Sequence, residues 1–163
     1  GCRLSSSSLC QLVLSAPLLT LLDVTECKFV DDQVLATVAA SLPRLHTLHA
    51  SRCDRVTAAG VCALVPSAYA HGEWVERGGD NDDGEETTIR TTGIQELSLA
   101  WLTALKAGVH DADAVVRSVG RLAPTLQIVD LTALPASLLA AAESLGDCVC
   151  LRELKMENFG PRG

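Results

Sequence analysis

Two stretches of this chain carry the same landmarks 26 residues apart, and that internal period limits the possible folds more than any other feature of the sequence. Pro17, Leu19, Leu22, Val24 and Cys27 return as Pro43, Leu45, Leu48, Ala50 and Cys53. The register continues past the cysteine: Val30 matches Val56, Asp31 matches Thr57, and Val34-Leu35 matches Gly60-Val61. A reduced form recurs as Ile94-x-x-Leu97-x-Leu99, Pro124-x-Leu126-x-x-Val129-x-Leu131 and Leu151-x-x-Leu154-x-Met156, with Leu102, Leu134 and Phe159 at the cysteine position. The spacing drifts, from 32 residues between Ile94 and Leu126 to 25 between Leu126 and Leu151; the 49 between Leu45 and Ile94 are one unit plus an insertion.

Between these strand-like cores lie segments with helical apolar spacing. Asp31 or Asp32 can cap a helix carrying Val34, Leu35, Val38 and Ala39, and Thr57 can cap one carrying Val61, Cys62 and Leu64. Asp111 precedes a third, with Ala114, Val115, Val116 and Val119, and Pro135 introduces a fourth over Leu138 to Leu145. Ser5 to Ser15 reads as the helix of an earlier unit whose strand is missing. Each unit is therefore one strand followed by one helix.

The pattern resembles the cysteine-containing leucine-rich repeat, as found in F-box substrate receptors and related proteins. Its consensus runs Cys-Pro-x-Leu-x-x-Leu-x-Leu-x-x-Cys-x-x-Ile-Thr-Asp-x-Gly-Leu. Pro17 to Leu35 and Pro43 to Val61 match it closely, and the other three units match in the strand core alone. The cysteine that often precedes the proline is replaced by Ala16, Leu42 and Ala123. The likeness extends from Leu9 to Phe159 apart from the insertion. It implies an α/β solenoid of about five repeats, with a parallel sheet on the concave face and helices on the convex face. Physically, one strand-helix unit cannot hide its own apolar face, so units stack and each consensus leucine packs on its equivalent in the next layer. With 48% hydrophobic but only 3% aromatic residues, such a core has to be aliphatic. Residues 1–163 are read as a single domain, part of a longer chain or a larger assembly.

Twenty acidic residues against 13 basic ones give a net charge of -7, which disfavours a nucleic-acid partner. Leu12 to Val24, the longest apolar run, is interrupted by Ser15, Pro17, Thr20 and Asp23 and falls well short of a membrane span. The insertion, residues 71–93, holds seven acids against Arg77 and Arg90 and contributes -5 of that charge. Its run Asp80-Asn81-Asp82-Asp83-Gly84-Glu85-Glu86 lacks the ligand register of a calcium loop. A solvated acidic loop is expected, with docking to a basic surface through Trp74 as the functional alternative.

Side chains that alternate with the buried leucines should line the concave face. One row reads Leu21, Thr47, Glu96, Ile128 and Glu153; the next reads Asp23, His49, Ser98, Asp130 and Lys155; the third reads Thr25, Ser51, Ala100, Thr132 and Glu157. With Trp101, which could be an exposed contact or a core filler, these residues other than Ala100 and Glu157 are the candidate partner-binding residues. Asp23, His49 and Ser98 also fall side by side in the order of a nucleophilic triad. A strand-borne serine, however, lacks the strained turn and free amides that stabilise an oxyanion, so a hydrolase is the weakest expectation.

Cys27 and Cys53 are expected in the same turn of adjacent layers as buried thiols, as the resemblance implies, and an odd total of seven cysteines favours an intracellular protein over a disulfide-stapled one. Cys148-Val149-Cys150 is half of a metal clip with no second pair nearby. No catalytic, cofactor or metal site emerges. The chain is expected to be a non-enzymatic scaffold that binds another protein, as a subunit of a larger assembly; the substrate-recognition part of an F-box ubiquitin ligase is the alternative.

Overall fold

The computed structural model describes residues 5–65, 93–107 and 109–160. Five three-residue strands, β1 (Leu21–Asp23), β2 (Thr47–His49), β3 (Glu96–Ser98), β4 (Ile128–Asp130) and β5 (Glu153–Lys155), form one parallel sheet in chain order. Helices α1 (Ser6–Ser15), α2 (Asp32–Ser41), α3 (Ala58–Ala63), α4 (Val109–Gly120) and α5 (Leu138–Leu145) each pack on the next, and a 3₁₀ turn, Thr103–Ala107, precedes α4. Parallel neighbours need a crossover, and the helices supply it.

The register fulfils the leucine column expected from the repeat. Leu22 pairs with Leu48, Leu48 with Leu97, Leu97 with Val129, and Val129 with Leu154. Backbone bonds extend the ladder past each short strand, for example from Val24 N to the His49 carbonyl and from Leu99 N to that of Asp130. The first four members of the column are buried, but Leu154 is 41% exposed because β5 is the edge strand and no described layer covers it. The core is aliphatic throughout: Leu35, Leu42, Leu45, Leu64, Ile94, Leu99, Leu105, Leu126, Leu131 and Leu134 are fully buried.

The helices begin where short polar side chains satisfy free amides. Ser5 accepts from Ser8 N at 3.1 Å, Asp31 from Val34 N at 3.2 Å, Thr57 from Ala59 N at 3.2 Å and Ser137 from Ala140 N at 3.1 Å. Each such cap contributes about 1 kcal/mol. In α4, which starts at Val109, Asp111 lies in the first turn, ahead of Ala114, Val115, Val116 and Val119.

The caps are also joined across layers. Ser6 Oγ donates to Asp31 Oδ1 at 2.8 Å. Asp32 accepts from Thr57 N at 2.8 Å and from Thr57 Oγ1 at 2.6 Å, and Asp113 treats Ser137 the same way. Gly60 sits where a Cβ would collide with the Asp32 carboxylate and backbone, so glycine is what lets α3 approach α2 this closely. The insertion, apart from Gly93, lies outside the described residues, and with it Trp74 and the acidic run.

Candidate functional site

Because successive strand residues point to opposite faces, burying Leu22, Leu48, Leu97 and Val129 turns their neighbours the other way. Leu21, Asp23, Thr25, Glu153 and Lys155 are exposed, and Thr47, His49, Glu96, Ser98, Ile128, Asp130 and Thr132 are half-buried. The strand pairing places the expected rows side by side: Leu21, Thr47, Glu96, Ile128, Glu153 and, two residues on, Asp23, His49, Ser98, Asp130, Lys155. In the third row Ser51 is almost fully buried, because its hydroxyl is drawn into the sheet's own hydrogen bonding.

Polar contacts run across the strands. His49 Nε2 lies 2.9 Å from Glu96 Oε1, and His49 Nδ1 lies 3.9 Å from Asp23 Oδ2. Asp23 Oδ1 accepts from the Thr25 amide at 2.9 Å, which holds its carboxyl below the usual range, with the Thr25 hydroxyl and His49 adding to the effect. Asp130 repeats the turn, accepting from Thr132 N at 3.0 Å. The Ala100 amide donates to Ser51 Oγ at 3.1 Å, Ser51 Oγ lies 2.6 Å from Ser98 Oγ, and Ser98 donates toward Asp130 Oδ2 at 3.5 Å. With Ser98 directed to Asp130, the Ser51 hydroxyl is the donor to Ser98.

These contacts bear on the triad. Asp23, His49 and Ser98 are on neighbouring strands as expected, but His49 directs Nε2 to Glu96 and Ser98 is engaged by Ser51 and Asp130. The nearby amides are occupied as well, Leu99 N by the Asp130 carbonyl and Ala100 N by Ser51. The row therefore holds no base aimed at the serine and no free pair of donors for an oxyanion.

Beyond the strands, one residue per layer adopts left-handed backbone: Glu26 (φ 60°), Arg52 (57°), Trp101 (59°), Ala133 (62°) and Asn158 (51°). Non-glycine residues with positive φ are uncommon, and five in equivalent turns form a repeated device. Its first three members touch: Arg52 donates to Glu26 Oε1 at 2.8 Å and its guanidinium lies 5.8 Å from the centre of the Trp101 ring. Trp101 is 40% exposed, which settles its reading as a surface residue. Glu26, Arg52 and Trp101, with Lys28, Asp54 and Thr103, line an open depression of about 390 Å³. The sequence signal for this rib was available, since each of these residues stands immediately before the cysteine position of its unit, but nothing in Glu, Arg, Trp, Ala and Asn suggests a shared conformation.

The described cysteines, Cys10, Cys27, Cys53, Cys62, Cys148 and Cys150, are free thiols. Cys53 is fully buried and donates to the Val24 carbonyl at 3.2 Å; burial pushes its thiol up to about 11. Burial raises the Cys148 thiol as well. Cys27 is only half-buried. Among the described residues no group of three or more His, Cys, Asp or Glu side chains is arranged to hold a metal ion, and no helix is long and apolar enough to cross a membrane. Neither a protein-family model nor a curated protein matches this chain.

Proposed function

We propose that this chain is a leucine-rich repeat scaffold that docks another protein on the open face of its sheet, as a recognition module or subunit of a larger intracellular assembly. The observation that carries this reading is the set of rows just described: of five in-register strands the first four bury one face, and all five present the other as a continuous surface of small polar, charged and aliphatic side chains. Parallel sheets are rarely left uncovered on one side, and a broad sheet face suits a macromolecule better than a metabolite. The repeats support the same reading, because stacked units provide an extended surface whose residues can vary without disturbing the core. Trp101 and Arg52, at the rim of that face, are of the residue types that dominate binding energies at protein interfaces.

The test compares two surfaces. Thr47→Arg with Ile128→Arg alters the sheet face, and Arg117→Glu with Glu143→Arg alters exposed positions on the helices α4 and α5. A protein that co-purifies at fixed stoichiometry should be lost from the first variant and kept by the second, with cross-links from Lys155 and Lys28 to the same protein. Equal retention by both variants, each folded by circular dichroism, would refute the use of this face.

A further inference from the structure

The open face is one-sided in charge. Asp23 on β1, Glu96 on β3, Asp130 on β4, Glu153 on β5 and Glu157 just beyond β5 project on the uncovered side of the sheet, against the ammonium of Lys155 and the imidazole of His49, which stands on β2 between Asp23 and Glu96 and contacts both. The acids are spread over four of the five layers, and the face they belong to is a sheet surface with no covering element among the described residues. Side-chain exposures of 54% for Asp23, 37% for Glu96 and 49% for Glu153 leave their oxygens accessible.

A cation already sits there. Lys155 Nζ lies 3.1 Å from Glu153 Oε1, and its ammonium is stabilised first by that hydrogen bond and further by the charges of Glu153, Asp130 and Glu96. The face thus displays, with a residue of its own, what it offers to a cation brought by a partner. An anionic surface, whether nucleic acid or acidic lipid, would be repelled by it.

Resting on the docking reading above, we infer that the part of the partner held by this face is an extended segment of a protein with Lys or Arg at alternate positions. The dimensions agree. Five strands spaced about 4.8 Å apart span about 19 Å, which an extended chain rising about 3.3 Å per residue crosses in about six residues. About three of these turn toward the sheet, enough to meet Asp23 at one side, Glu96 and Asp130 in the middle and Glu153 at the other. Thr47, Ser98 and Thr132 are the small side chains between the acids, with the larger His49 on β2 and Ile128 on β4 standing beside the path.

The probe is a fluorescein-labelled peptide of about eight residues in which Lys or Arg alternates with Ser, read by fluorescence anisotropy at near-physiological salt. Asp23→Asn, Glu96→Gln, Asp130→Asn and Glu153→Gln together form the face variant; Asp80→Asn, Asp82→Asn, Asp83→Asn and Glu85→Gln remove the same charge from the insertion. Asn at 23 and 130 keeps an acceptor for the Thr25 and Thr132 amides, so the turns are preserved. The inference predicts at least about tenfold weaker binding by the face variant, less than about twofold change in the insertion variant, and weaker binding of a peptide with the same cations in one block. Equal losses in the two variants, a loss confined to the insertion variant, or no preference for the alternating peptide would overturn it. The co-purification test separates the two levels: a natural partner lost on Thr47→Arg with Ile128→Arg but indifferent to the four neutralisations would end the basic-segment inference and leave docking on this face standing.

Discussion

Asp113 accepts two hydrogen bonds from Ser137, one from its amide at 2.6 Å and one from its hydroxyl at 3.0 Å, so a carboxylate inside α4 holds the residue that caps α5. Asp32 in α2 holds Thr57 in front of α3 by the same pair of contacts. The two sites are independent copies of one solution to stacking, in which the start of each helix is fixed by the layer before it.

Asp113→Ala should therefore destabilise the fold by about 1.5–3 kcal/mol, since it leaves the Ser137 amide and hydroxyl without their charged acceptor in a nearly buried position. Urea denaturation with an unchanged slope checks this. A loss within about 0.5 kcal/mol would mean that the contact is not maintained in solution.

Gly60→Ala sets two effects against each other. Helix propensity alone favours alanine by about 1 kcal/mol, but the added Cβ would meet the Asp32 carboxylate and Cα, and overpacking of this kind costs about 1–3 kcal/mol. The expected outcome is net destabilisation, partly relieved in Gly60→Ala with Asp32→Ala, where the carboxylate is gone and the backbone contact remains.

How much of this was legible in the sequence depended on the length scale of each interaction. Strand order, the leucine column, the face rows and the ends of α5 followed from periodicity, because stacking repeats each packing problem at equivalent positions. The roles of Asp32 and Asp113 were not legible: each serves a helix 24 or 25 residues away, whereas a capping pattern is sought within one turn. Asp111 ahead of Ala114, Val115, Val116 and Val119 marked the beginning of α4 to within one turn, as a first-turn acid. Adjacency exposed Asp23, His49 and Ser98 as neighbours, but only side-chain directions reveal that His49 turns to Glu96 and Ser98 to Asp130.

The cysteines should separate by accessibility. Alkylation of the native protein at about pH 8 is expected to label Cys62 and Cys150, both exposed, well before Cys53, which is buried, hydrogen-bonded and raised to about 11. Mass mapping of modified peptides reads the order, and Cys53 should react only on unfolding. Early labelling of Cys53 would contradict its place beneath the Val24 carbonyl.

Acid sensitivity should pass partly through Asp23. Its carboxyl is depressed, chiefly by the Thr25 amide, so the stabilisation it provides is present above the ordinary carboxylate range and is lost as pH falls through its lowered value. Asp23→Asn should therefore reduce the drop in Tm between about pH 5 and about pH 3, modestly because the side chain is half-exposed to water. An unchanged drop would show that the Thr25 contact does not persist.

The stacked sheet itself is tested most directly by methyl–methyl NOEs in protein with labelled leucine and valine methyls. The account predicts cross-peaks linking Leu22 to Leu48, Leu48 to Leu97, Leu97 to Val129 and Val129 to Leu154, and none between Leu22 and Val129. The Leu48 to Leu97 peak is decisive because it spans the insertion. Its absence, or contacts that skip a strand, would contradict the ordered stack and the open face that depends on it.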